Sequence, residues 1–250
     1  MVTFSGNGVS VSASDARDSP SRSLVEECMI LAGQIAAEYA KQEDLPIPFR
    51  VQKKGGGGGG GGDSTSNAAA PALETKNALF RDLVLVETHG HASVDITPSR
   101  HYSVGLDAYT QVTSPIRRYA DLLVVHQIKA HLLGSALPFS SWDVLQFRDH
   151  YEVSLRRVTL LQNNSVRFWT LRHLVERKVK QLRVLALGSA GSAVVYREGD
   201  ICPIYVSDYA FRGAVKLKRE GATVAPGDMF EVAIVNIDPV RLVIELTDIL

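Results

Sequence analysis

The hydrophobic pattern of this 250-residue chain changes period once, near Arg183, and that change limits the fold more than any other feature. Ahead of it, apolar residues recur every three or four positions, as on the buried face of a helix. Val25, Cys28, Met29, Ala32, Ile35, Ala36 and Tyr39 predict a helix from about Leu24 to Lys41, and Ser23-Leu24-Val25-Glu26 has the form of a capping box at its start. Ser114 as N-cap and Pro115 at the first helical position predict a second helix, marked by Ile116, Tyr119, Leu122, Leu123, Val125 and Ile128. A long helical stretch, one helix or two, follows from about Ser141 to Leu182. Beyond Arg183 the period shortens. Ala193–Tyr196, Ile201–Val206, Ala214–Leu217, Met229–Ile237 and Leu242–Leu246 read as strands, separated by turn signals at Gly199-Asp200, Pro226-Gly227-Asp228 and Asp238-Pro239. Closely spaced short strands suggest a small closed barrel, with the OB-fold as leading candidate. The expected class is α+β.

Eight consecutive glycines, Gly55–Gly62, sit inside the helical part. Glycine loses the most entropy on ordering and offers no side chain to bury, so the tract predicts a flexible insertion over about 53–76. Residues 1–22 are serine-rich and poor in apolar groups, which predicts a disordered tail without the basic and apolar regions of a secretory signal. No apolar run approaches the ~18 residues of a membrane span, so no membrane partner is expected. Cys28 and Cys202 share no metal or disulfide spacing, and a reducing intracellular compartment fits. Organelle and cytoplasm both remain open.

Net charge is zero, but residues 148–186 hold nine basic groups against three acidic ones. A local patch of that kind steers polyanions, although a solvated helix face explains it equally. The segment Asp107–Leu122 is sharper. Read from the Ser114 cap, Arg117 and Arg118 fall in the first turn of a helix, whose N-terminus already carries partial positive charge. Either a bound phosphate or pairing with Asp107 or Asp121 would relieve the conflict.

Tyr109, then Thr113-Ser114-Pro115-Ile116-Arg117-Arg118-Tyr119, then Asp121-Leu122, resembles the signature of the ribonuclease II/R family of 3′→5′ exoribonucleases, whose catalytic block is called RNB. Val25-Glu26-Glu27-Cys28-Met29-Ile30-Leu31-Ala32 resembles that family's upstream helix, and Phe49-Arg50-Val51 its short Arg-Val stretch. The resemblance covers roughly residues 22–52 and 79–250. It implies the C-terminal part of an RNB domain over 23–182 and an OB-type RNA-binding domain over 183–250. Arg117, or Arg118 if the register shifts by one, would stabilise the phosphate being cleaved. Glu27 would meet the 3′-terminal ribose, the capping box taking Glu26. Tyr109 and Tyr119 would line the channel, and Arg167, Arg172 and Lys178, with their basic neighbours, would track single-stranded RNA.

The resemblance also implies magnesium held by an aspartate cluster upstream of the paired glutamates. Asp15 and Asp18 do not match that cluster, and the ligand aspartates and amino-terminal cold-shock-type domains have no counterpart. Asn163 stands where family members can carry a glutamate six residues before the tryptophan, here Trp169. The leading expectation is RNA binding and exoribonucleolytic degradation. The alternatives are an inactive, truncated RNA-binding protein, or a chain completed by a separate polypeptide that supplies the catalytic half. His89-Gly90-His91 lacks a third ligand at suitable spacing and predicts a surface loop rather than a metal site.

Overall fold

Strand-period residues after Arg183 close into a barrel in the computed structural model, which describes residues 2–5, 8–11, 19–53, 77–88, 92–188, 195–218, 221 and 223–249. The Gly55–Gly62 tract and His89–His91 lie outside the described residues. Four α-helices are described: α1 (Pro20–Gln42), α2 (Ala78–Thr88), α3 (Tyr119–Leu132) and α4 (Ser141–Glu176). The strands are β1 (Val2–Ser5), β2 (Gly8–Val11), β3 (Phe49–Val51), β4 (Ser93–Asp95), β5 (Gln181–Ala186), β6 (Tyr196–Arg197), β7 (Ile201–Val206), β8 (Phe211–Lys216), β9 (Thr223–Val224), β10 (Met229–Asp238) and β11 (Val243–Asp248).

The chain divides into two compact, discontinuous units, and one of the points where it passes between them falls inside α4, between Val158 and Thr159. The reason is packing. Leu171 and Leu174, in the last turns of α4, are fully buried in the same core as the barrel strands.

In that unit β5, β7, β8, β11 and β10 form a closed five-stranded barrel. Every pair is antiparallel except β8 with β11, which meet in parallel at Thr247↔Lys216. Alternate residues of β7, Cys202, Ile204 and Val206, point inward and are wholly buried, as period-two patterning requires. Burial pushes the Cys202 thiol up to about 12, which makes it an inert core residue. The long helix is a single one and ends six residues earlier than expected. Lys178 adopts a left-handed conformation (φ 53°), and Val179 N–H donates back to Leu174 O at 3.1 Å, a Schellman-type stop. Leu182 therefore belongs to β5 and not to the helix.

The first residues differ from the expected disordered tail. β1 and β2 pair antiparallel with Phe4↔Val9 and Ser5↔Gly8 in register. Helix α2 was also unforeseen. Its Phe80 and Val84 are buried against Leu185 and Leu187.

The second unit packs α1, β3, β4, α3 and the first half of α4 around Ala37, Ala40, Ile47, Phe49, Val51 and Val124. Its buried Gln127 is fully used. The side-chain amide donates to Pro46 O (2.8 Å) and Phe139 O (2.9 Å), and its oxygen accepts Phe139 N–H (3.1 Å). Gln127→Leu should therefore lower unfolding stability by about 3 kcal/mol, because it strands three backbone groups away from water. A urea titration with unchanged slope and a midpoint shift worth less than about 1 kcal/mol would contradict this account.

Candidate functional site

Helix α1 begins at Pro20, with Ser19 as its cap residue and proline at the first helical position, where its missing N–H costs nothing. The Ser23–Glu26 box thus lies inside the helix, and the Ser23 hydroxyl reaches back only to Ser19 O, at 3.4 Å. Glu26 is released from capping. It lines a cavity of about 610 Å³ together with Arg22, Val25, Met29, His101, Val104 and Tyr109, among others. Glu27, the carboxylate expected at the ribose, is exposed and does not line that cavity.

The rest of the lining comes from His101, Val104 and Tyr109. Arg50 N–H in β3 donates to Tyr109 O (2.8 Å), and the buried Thr110 hydroxyl donates to Pro48 O (2.6 Å). Thr110 N–H reaches Gly33 O at 3.4 Å, and a side chain on Gly33 would collide with Thr110 O and the Tyr109 ring. Glycine at that point is what lets α1 approach the loop at Tyr109 and Thr110.

The helix expected at Ser114 starts at Tyr119 instead. Residues 115–117 form a turn in which Arg117 N–H and Arg118 N–H both donate to Ser114 O (3.2 and 3.0 Å), and Arg118 is the extended N-cap residue. Asp121 decides this. It occupies the first turn of α3, where a carboxylate suits the helix dipole. Its Oδ2 accepts Ser114 N–H (2.8 Å) and both Nε and Nη2 of Arg118 (3.1 and 2.7 Å). The pair is enclosed, with side chains 21% and 0% exposed. Structural pairing therefore holds Arg118. Asp107 takes no part, since it pairs with Arg100 at 2.7 Å. Arg117 is exposed, and its guanidinium makes no hydrogen bond or ion pair among the described residues.

Three polar groups that the sequence did not single out as site residues join this cluster. Arg50 projects from β3 between the buried Phe49 and Val51, and its Nη1 is buried without a hydrogen-bond partner. His101 meets Tyr109 edge-on, ring centroids 5.5 Å apart, and burial followed by the Arg50 charge lowers its pKa, favouring the neutral ring. Tyr109 and Tyr151 are raised by burial, against the opposing pull of Arg50 and Arg118, so both phenols stay protonated hydrogen-bond donors. Arg50 had a local signal, the alternation that sets it on the opposite face from its neighbours in β3. Tyr151 had none, because only the packing of α4 brings it here.

The other expected positions make contacts of their own. Tyr119 is 55% exposed at the start of α3. In the barrel unit, Arg167 donates to Leu242 O (2.8 Å) and Arg212 O (3.1 Å) and lies over the Phe211 ring. Arg172 pairs with Glu176 (2.8 Å) and lies over Trp169, while Lys178 is the exposed residue that stops α4. Among the described residues no three His, Cys, Asp or Glu side chains come together as a metal ion requires. Asp121 is engaged by Arg118 and Ser114 through Oδ2 alone, and its Oδ1 is buried without a hydrogen-bond partner among the described residues.

Residues 2–134 match the RNB domain family. The chain is 37% identical over 163 residues to an uncharacterised ribonuclease of Synechocystis sp., covering 62% of this chain and 22% of that protein. It is 30% identical over 166 residues to the chloroplastic/mitochondrial ribonuclease II of Arabidopsis thaliana, covering 66% and 19%. It thus spans about a fifth of the length of these relatives. Its fold superimposes on an active-site mutant of the Dss1 exoribonuclease from Candida glabrata with a TM-score of 0.82 at 21% identity, over 100% of this chain and 31% of that one. No described helix is long and apolar enough to cross a membrane. A family match across more than half its length, a range that includes the Thr113–Tyr119 turn and the paired-glutamate helix, makes this chain a member of the RNB-domain exoribonuclease family.

Proposed function

We propose that the protein degrades RNA from the 3′ end, and that this chain supplies the residues that hold the strand and its reacting phosphate. The observation that carries the reading is Arg117, an exposed guanidinium without a partner among the described residues, next in the chain to the locked Arg118–Asp121 pair. Arg117 would place its planar fork on the phosphate oxygens, where negative charge builds as the ester is attacked. Glu26, rather than Glu27, would accept hydrogen bonds from the terminal ribose, since it lines the cavity with Tyr109. Tyr109 would donate from a protonated phenol. Residues 183–250, read as an OB-type barrel, would guide single-stranded RNA. An organelle fits the chloroplastic/mitochondrial relative.

Fluorescence anisotropy with a labelled oligoribonucleotide tests the phosphate contact. Arg117→Ala should weaken binding and make the log–log salt slope shallower by about 0.7, the value for one phosphate neutralised on a single strand. Binding that is absent at ~50 mM salt, or a slope unchanged by the substitution, would remove the basis for this assignment.

A further inference from the structure

The turn before α3 alternates chemistry in a way that the phosphate contact alone does not explain. Ile116 is fully exposed (102%), Arg117 is exposed, and Tyr119 opens the helix with its ring half in solvent. Tyr119 is not isolated. Its ring lies 5.5 Å from that of Phe147, centroid to centroid and tilted 48°, and Phe147 lies 4.9 Å from Tyr151, tilted 33°. Phe147 and Tyr151 are four residues apart on α4, so they share one helix face. The row runs from the exposed Tyr119 to the half-buried Tyr151, which feels the charges of Arg50 and Arg118. A core cluster would bury its outermost ring. This one leaves it open, two positions along the chain from the Arg117 guanidinium, which has no partner among the described residues.

We propose that Tyr119, Phe147 and Tyr151 form a base-stacking platform for single-stranded RNA, with Arg117 meeting the phosphate of the stacked nucleotide. The inference rests on the RNA-binding reading above and extends it from the backbone to the bases. Flat π-faces recognise any base, so the platform holds the strand without reading its sequence. An aromatic step next to a cation also suits a nucleotide, which carries a flat base and a charged phosphate one bond system apart. Tyr151 anchors the inner end, because its α4 neighbours are fixed: Glu152 accepts Val94 N–H at 2.7 Å, and Arg148 faces Asp95 at 3.8 Å.

The test compares two probes on the full chain: an oligouridylate, and an abasic ribose–phosphate strand with the same number of phosphates. The wild-type chain should bind oligouridylate about ten-fold more tightly, the order expected for stacking one base on an aromatic ring. Tyr119→Leu should erase most of that preference while leaving affinity for the abasic strand within about two-fold, and Tyr119→Trp should keep it. Phe147→Leu, which removes the middle ring, should act like Tyr119→Leu. Arg117→Ala should weaken both probes alike. Equal binding of the two probes by wild type, or a preference that survives Tyr119→Leu, overturns the platform and leaves the phosphate contact standing. An equal loss for both probes in Tyr119→Leu, with its far-UV circular dichroism unchanged, overturns it too. No binding of either probe overturns both readings.

Discussion

Asp121→Ala is expected to destabilise the protein by about 3–5 kcal/mol, the usual effect of removing one partner from an enclosed ion pair. The carboxylate accepts three hydrogen bonds through one oxygen, two of them from the Arg118 guanidinium and one from Ser114 N–H. Without it, a largely enclosed cation loses its counter-charge and a backbone donor loses its acceptor. The turn that starts α3 should unravel, and Arg117 with it, so RNA affinity should fall together with stability. Removing both charges tests the cause. Arg118→Met with Asp121→Leu should recover much of the loss, because an apolar pair avoids the desolvation that an ion pair must overcome. Urea unfolding of wild type, Arg118→Met, Asp121→Leu and the protein carrying both forms a double-mutant cycle. A coupling energy below about 1 kcal/mol would mean that the pair does not hold the turn.

Gly33→Ala carries the second large effect, and its sign is the informative part. Helix propensity alone predicts a gain, since glycine in a helix interior is worse than alanine by roughly 0.5–1 kcal/mol. Here the added methyl would run into Thr110 O and the Tyr109 ring. The loop cannot withdraw freely, because Arg50 N–H holds Tyr109 O and the Thr110 hydroxyl is tied to Pro48 O. Overpacking should therefore outweigh propensity and leave a net loss of about 2 kcal/mol. Tyr109 should also be displaced from the cavity it shares with Glu26. Thermal unfolding decides between the two effects, and a raised melting temperature would place α1 farther from the loop than described.

Period and punctuation in the sequence already determined the larger parts of this protein. Helical spacing placed most of α1, and period-two runs after Arg183 located β7 and β10 to within a residue or two. Those signals are local, since each arises from a single element burying one of its faces. The Thr113–Tyr119 motif and the Glu26-Glu27 pair identified the family for the same reason: they are contiguous. What the structure decided is which of the alternatives left open along the chain is taken, and which distant residues meet. The start of α3 moved from Ser114 to Tyr119 because the buried Asp121 draws Ser114 and Arg118 onto one carboxylate oxygen. Glu26 rather than Glu27 lines the cavity with Tyr109, because successive residues of a helix fall on different faces and only the packing of α1 selects one of them. Arg118 lost its freedom and Arg117 kept it, although the two are neighbours in a run where either was a candidate. Arg50, His101 and Tyr151 reach the same cluster from three separate elements, joined by electrostatics and packing that no single window of sequence contains.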